Sequence, residues 1–419
     1  MFVGEDVEVA DRLLAHLRAG TTDNAESDLR IPVWHYLDPE RAEAERAVFR
    51  QRPLVAAVSA GLRDQGSFLT LELIGVPLLL VRQDDGSVAG FINICRHRGG
   101  KVEPEACGSK RVFTCRYHGW TYDRDGGLRN VPFREGFDSV DPACHGLLRV
   151  GTAERHGFIW VQLGSTTPPD VAAYLGPDLD EQIGRFDLGR WELYVDERFT
   201  QSVNWKLVAD GLLDILHPKF LHPDTVGRLI QTNTHAWDRY GDHGRLGMAR
   251  RKLDRIRDDI PDGTDLRKFV ITNFFVYPNT MLVIQPDHFE LWTVFPDAES
   301  PERSTTSIRF LVPKVPDSEA ERQPIDQSWE ILKHAVTTED WPMAASIQQS
   351  ARALAAGAAG RDVEFVCGRS ETPLQHLHRR LAEDVDAAET VVTKGEPDGA
   401  GEGHVLPHLR AVVRSGGDG

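Results

Sequence analysis

Two short segments hold the residues best suited to chemistry: Cys95-Arg96-His97 and Cys115-Arg116-Tyr117-His118. Thiolates are soft ligands that suit zinc or iron–sulfur clusters. Zinc fingers usually take two cysteines from one element and two histidines from another. Here each segment supplies one of each. A two-iron cluster needs that set if one iron takes both thiolates and the other both imidazoles, an exchange that raises the reduction potential. Zinc, or four unrelated buried residues, are the competing readings. A β-like run precedes each pair (Phe91–Ile94 and Val112–Thr114), so two facing loops would present the four side chains around one centre. That context favours the cluster.

A second constellation lies between Asn204 and Pro223, where Asp214, His217 and His222 fall close together. Asp214 and His217 are three apart and would share a helix face. His217 and His222 are about 140° apart on a regular helix and would not converge. Pro218 and Pro223 follow the two histidines, remove backbone donors and push each preceding residue out of the helical region. The expected bend would bring the imidazoles together. Two histidines and a carboxylate with open positions form the facial triad of non-haem iron(II) oxygenases.

The elements that must position these residues change texture along the chain. Residues 1–50 read as helix, rich in Ala, Leu, Arg and Glu. Residues 51–165 are strand-rich, with Phe68–Leu73, Leu78–Val81, Val88–Ile94 and Gly157–Leu163 as the clearest runs. A shift at Thr166-Thr167-Pro168-Pro169 opens a third block, 166–390. It mixes helix with a strand near Trp191–Phe199, strand runs at Lys268–Pro278, Thr280–Gln285, Phe289–Phe295 and Thr305–Val312, and helix over 317–356. Residues 391–419 read as a flexible tail.

With 419 residues, the chain has room for two or three domains. The net charge of −16 argues against nucleic acid as a main partner. No apolar stretch is long enough to span a bilayer, and Met1–Asp6 lacks the features of a secretory signal, so a cytoplasmic location is expected. Five cysteines make poor material for a disulfide framework; Cys107, Cys144 and Cys367 are expected as small core residues. Against the overall charge, Arg96, Arg98, Lys101, Lys110, Arg111 and Arg116 outweigh Glu103 and Glu105 around the first site. This patch is either an ordinary solvated loop surface or a dock for an acidic ferredoxin. No flavin or nicotinamide motif is present.

Cys95-Arg96-His97-Arg98-Gly99 and Cys115-Arg116-Tyr117-His118-Gly119-Trp120 resemble the Rieske domain of ring-hydroxylating oxygenase alpha subunits, with Arg116 where the family commonly has proline. The D-x-x-H-x-x-x-x-H segment resembles the family's mononuclear-iron motif, although Asp210-Gly211 and Leu216 depart from it. The resemblance implies an α+β fold: a Rieske domain of antiparallel β-sheets, and a catalytic domain whose antiparallel sheet wraps around helices in a helix-grip arrangement. It implies a [2Fe-2S] cluster on Cys95, His97, Cys115 and His118, and mononuclear Fe(II) on His217 and His222. The third ligand is expected in the helix opened by Thr338-Glu339-Asp340, with Asp340 preferred to Glu339. Asp214 is implied as an acid bridging to His118 of a neighbouring subunit, in a homotrimer with or without a β subunit. The implied activity is O2-dependent hydroxylation or dihydroxylation of an apolar, typically aromatic substrate, with electrons from NAD(P)H arriving through a separate reductase or ferredoxin. Leu212, Leu213, Leu216, Phe220, Phe274, Phe275 and Leu282 are the expected pocket walls. The alternatives are a monooxygenase or demethylase acting on a quaternary amine or other non-aromatic compound, with Trp237 and Tyr240 available for an aromatic cage, and a Rieske electron carrier with a non-catalytic second domain. His376 and His378 are assigned no ligand role.

Overall fold

The computed structural model describes residues 4–256, 264–357 and 363–394. Its helices are α1 (Gly4–Ala19), α2 (Pro39–Gln51), α3 (Val171–Leu175), α4 (Pro177–Gly184), α5 (Trp205–Leu213), α6 (Pro218–Leu221), α7 (Glu319–Ala335), α8 (Trp341–Ala356) and α9 (Thr372–Lys394). Among the described residues, no helix is long and apolar enough to cross a membrane.

The fold is α+β, built on two large antiparallel sheets. The first contains Leu54–Val58, Phe158–Gln162, Arg149–Arg155, Val88–Ile92, Val76–Arg82, Ser67–Leu73 and Cys107–Ser109, in that spatial order. A small sheet of Val112–Thr114, Thr121–Asp123 and Leu128–Asn130 stands beside it. The alternation of a strand divides its side chains between two cores. Leu78 and Leu80 join the large central core, whereas Leu79 and Val81 face Phe113, Trp120 and Tyr122 beneath the two Cys/His loops.

The second sheet runs from Glu192–Gln201 through Ser304–Val312, Phe289–Pro296, Thr280–Ile284, Val270–Val276 and His243–Arg250 to Ile230–Tyr240. One face, including Phe275, Met281, Trp292 and Ile308, packs on α5 and α9 in the central core. The other face, including Phe274, Leu282 and Leu291, packs on α3 and α4. The strands Ile230–Tyr240 and His243–Arg250 do not stand out in the sequence. The first carries Thr, Asn, His, Asp and Arg, and pairing with the second and packing of α1 on Ala236 and Ala249 secure it instead.

Two further expectations need correction. Cys107 and Cys144 are exposed, not core residues, because one lies on an edge strand and the other in a surface turn; Cys367 is buried as expected. The segment read as a tail from 391 begins as helix, since α9 continues to Lys394; residues 395–419 lie outside the described residues.

Candidate metal centres

The two Cys/His loops are near copies of one another. In each, the cysteine amide donates to a carbonyl five residues on (Gly100 and Trp120), and the fourth residue after the cysteine (Gly99 and Gly119) donates back to the cysteine carbonyl. Gly99 and Gly119 have φ of 76° and 74°, a left-handed conformation that favours glycine. The tight turns hold the paired side chains toward each other. The His97 and His118 rings lie 4.6 Å apart, and His97 stacks on Trp120 at 5.0 Å with Phe137 against its edge. Both cysteines are buried, while His118 reaches the surface. The buried Nδ1 of His97 has no hydrogen-bond partner. An inward-facing imidazole nitrogen without a partner, beside two buried thiols, suits a cluster ligand and not a packed core.

Tyr122 packs against this site. Its hydroxyl accepts the Arg96 amide at 3.0 Å and lies 3.3 Å from Cys95 Sγ, where it would donate to a metal-bound thiolate, which has no proton of its own. Burial first, and then Cys95, raise the phenol well above its ordinary value, which keeps it a donor. A hydrogen bond to a cluster sulfur favours the reduced, more negative state. Tyr122→Phe should therefore lower the one-electron potential by roughly 40 to 90 mV, equivalent to about 1 to 2 kcal/mol. Protein-film voltammetry of the reconstituted protein checks this; an unchanged potential would remove the role.

The second centre is built on a broken helix. Asn204 caps α5 by accepting the Lys206 amide, and every side chain from Trp205 to Ala209 is buried. The helix stops at Leu213. Asp214 is its C-cap in extended conformation, and its Oδ1 accepts the Leu216 amide at 2.6 Å to start a turn. Asp214 and His217 thus meet across a turn, not along a shared helix face. His217 keeps helical angles (φ −66°, ψ −28°) despite Pro218, because it is the N-cap of α6 and the proline occupies the first turn, where it is tolerated. Leaving the helix is seen at His222, with φ −115° and ψ 46°.

These turns bring the imidazoles together, with ring centres 5.1 Å apart. Asp340 Oδ1 lies 3.0 Å from His222 Nε2 and 3.5 Å from His217 Nε2, and ligand atoms of the three residues all fall within 4.8 Å of one another. The set of two neutral-capable nitrogens and one carboxylate fits iron(II). Glu339 points elsewhere: its Oε2 meets the opposite nitrogen, His222 Nδ1, at 2.8 Å. The Thr338-Glu339-Asp340 segment does not open a helix as expected. It forms a π-helical turn, Val336–Asp340, between α7 and α8. Burial disfavours the His222 cation, but the Asp340 and Glu339 carboxylates raise it above its ordinary value. Burial likewise pushes the Asp214 carboxyl up, and the adjacent His217 and amides more than reverse this.

The Ring hydroxylating alpha subunit (catalytic domain) family matches residues 188–387, and the Rieske [2Fe-2S] domain family matches residues 52–141. The chain belongs to the Rieske non-haem iron oxygenase alpha subunits. It is 30% identical over 225 residues to a glycine betaine monooxygenase oxygenase subunit of Chromohalobacter salexigens, covering 53% of this chain and 50% of that one. It is 35% identical over 199 residues to a chlorobenzene dioxygenase alpha subunit of a Cupriavidus species, covering 46% of this chain and 42% of that one. The chain thus spans about half the length of these relatives. In fold it resembles a quaternary ammonium Rieske monooxygenase solved with L-carnitine, at a TM-score of 0.71 and 18% identity, covering 86% of this chain and 96% of that one.

Beside Asp340 opens a cavity of about 410 Å³, lined by Leu212, Leu221, Trp292, Trp341, Phe365 and the carboxylates Asp210 and Glu371, among others. Of the expected walls, Leu212 lines it. Phe220 is 74% exposed, because the four-residue α6 turns it outward. Phe274 and Leu282 are paired neighbours on the far face of the sheet. Leu213 and Phe275 border a separate small void, and Leu216 is not among the lining residues. Trp237 and Tyr240 also lie elsewhere, against His376 and Gln182. His376 and His378 hydrogen-bond to the Asp242 carbonyl and to Asp210. Asp210 stands out in the sequence only as a departure from the iron motif and Glu371 carries no spacing signal, so their meeting in one cavity is visible only in the fold.

Proposed function

We propose that the chain is the terminal oxygenase component of a multicomponent system that uses O2 and electrons from NAD(P)H. One observation carries the reading: two imidazoles and a carboxylate converge within 4.8 Å at the wall of a cavity sized for a small organic substrate. In this reading Cys95, His97, Cys115 and His118 hold a [2Fe-2S] cluster, and His217, His222 and Asp340 hold Fe(II). When bound, the cluster would supply electrons singly and the iron would supply oxygen activation. The protein's part is to exclude water with the apolar cavity wall, orient the substrate, and fix the imidazoles. The Rieske unit is taken as residues 51–165, with 1–50 and 166–390 forming the catalytic unit.

Asp214 lies 3.3 Å from His217 Nδ1 and His118 is exposed, which suits transfer between Asp214 of one subunit and His118 of the next in a homotrimer. For electron entry the basic patch is narrower than its sequence implies. Lys110 pairs with buried Glu103 and Arg116 with Glu105, leaving Arg98, Lys101 and Arg111 as the exposed core of a ferredoxin or reductase dock. The rate of reduction by an acidic ferredoxin should fall steeply between low and physiological ionic strength. A flat profile in stopped-flow reduction would place the dock elsewhere.

Leu212, Leu221, Trp292, Trp341 and Phe365 suit hydroxylation of an apolar or aromatic substrate. A second reading, oxidation of a quaternary or methylated amine, is favoured by Asp210 and Glu371 in the same cavity as these aromatic rings, since carboxylates and ring faces both attract cations. The likeness to both betaine and chlorobenzene enzymes supports each. The test is iron content with turnover. About three irons per chain and a product oxidised by O2, read by mass with aromatic and quaternary-amine panels, support the oxygenase. About two irons and no product would indicate a carrier, and a colourless zinc protein would exclude both.

A further inference from the structure

The π-helical turn Val336–Asp340 directs consecutive carboxylates to opposite nitrogens of one buried imidazole. Asp340 meets His222 Nε2 at 3.0 Å, while Glu339 Oε2 meets His222 Nδ1 at 2.8 Å and also accepts the Thr225 hydroxyl at 2.9 Å. The side chain of His222 is only 2% exposed, so water does not compete for these contacts. At His217 the corresponding support is weaker. Asp214 Oδ2 stands 3.3 Å from Nδ1, that nitrogen makes no hydrogen bond, and the carboxylate is also engaged with the Leu216 amide.

We infer that Glu339 is a positioning residue for the mononuclear site: it accepts the Nδ1 proton of His222, fixes the tautomer that leaves Nε2 free to ligate, and is itself held by Thr225. The physical reason is that an imidazole ligates through a deprotonated nitrogen, and a carboxylate on the other nitrogen determines which one that is and where the ring points. The inference rests on His217, His222 and Asp340 being the iron site. It goes beyond that reading by giving the neighbour of the proposed ligand a separate task. Consecutive residues of a regular α-helix point about 100° apart, and from the π-turn both carboxylates reach His222, one on each side of the ring.

The test uses full-length protein with an intact cluster, from which mononuclear iron has been removed, titrated anaerobically with Fe(II) alone. Binding is followed by release to a chelator and by the electron paramagnetic resonance signal given with nitric oxide. Glu339→Ala should weaken Fe(II) binding by roughly 10- to 100-fold and broaden the signal, with the cluster spectrum unchanged. Glu339→Gln retains an acceptor oxygen and should recover most of the affinity. Thr225→Val leaves the carboxylate but frees its orientation, and should give a smaller loss, a few-fold. Wild-type affinity and signal in both Glu339→Ala and Thr225→Val would overturn the inference. If the wild-type protein itself binds no Fe(II) beyond the cluster, the iron-site reading fails instead.

Discussion

Replacing Asp340 by Ala should empty the mononuclear site while leaving the colour of the protein intact. Among the described residues, Asp340 is the one carboxylate grouped with both proposed ligand nitrogens, 3.0 Å from His222 and 3.5 Å from His217. Two imidazoles alone are a poor iron(II) site, because a hard anionic oxygen is lost and, among the described residues, no other carboxylate joins His217 and His222 at that point. Glu339 is held on the far side of His222 by Thr225, so it does not swing in to compensate. Loss of a supporting outer contact commonly costs 10- to 100-fold in affinity, so loss of the ligand itself should cost roughly 100-fold or more. Iron should fall from about three to about two per chain, with substrate oxidation abolished and the visible spectrum retained. Retained third iron with turnover would show that the carboxylate ligand lies elsewhere.

The second large effect is on stability. Glu45 on α2 and Lys206 on α5 are each 1% exposed and lie 2.6 Å apart, joined by Arg41 and by the Trp205 indole, which donates to Glu45. Burial raises the Glu45 carboxyl and Lys206 more than reverses it, whereas burial holds the Lys206 ammonium below its ordinary value despite Glu45, so the ion pair depends on Glu45 for its charge. Glu45→Ala would leave the Lys206 ammonium without its partner in a dry environment, at a cost of about 3 to 5 kcal/mol. Because α5 leads directly into Asp214 and His217, the catalytic unit should unfold first, with loss of the mononuclear iron before the cluster is affected. Denaturant titration followed by tryptophan fluorescence and by cluster absorbance separates the two events. Replacing both partners, Glu45→Leu with Lys206→Met, should recover most of the loss, since a packed apolar pair removes the buried charge. A shift below about 1 kcal/mol for Glu45→Ala would mean that water reaches Lys206.

How much of this is legible in the sequence depends on the range of the cause. The Cys95/His97 and Cys115/His118 loops are written locally in part: the Cys, His and turn glycines of each fall within one short stretch, whereas the aromatics against the first pair, Trp120, Tyr122 and Phe137, come from later in the chain. Asp214, His217 and His222 are legible for the same reason, although the local geometry differs from a helix face. Helix α5 ends at Leu213 because the Asp214 side chain supplies a competing partner for the next amides. The strands Ile230–Tyr240 and His243–Arg250 are not legible, since neither period nor apolar content marks the first, and its register comes from a neighbour.

The cavity lies at the far end of this scale. Phe274 and Phe275 are adjacent and equally apolar, yet strand alternation places them in different cores, and neither lines the cavity beside Asp340. Asp210, Trp292, Phe365 and Glu371 meet there from four separate segments. The sequence by itself determined which side chains can ligate metal, because ligand chemistry resides in residue type and short spacing. Tertiary structure alone decided that Asp340 faces both histidines while Glu339 grips His222 from behind, and which walls enclose the substrate space. Those outcomes depend on a π-turn and on the packing of helices against a sheet, whose partners lie more than a hundred residues away in the chain.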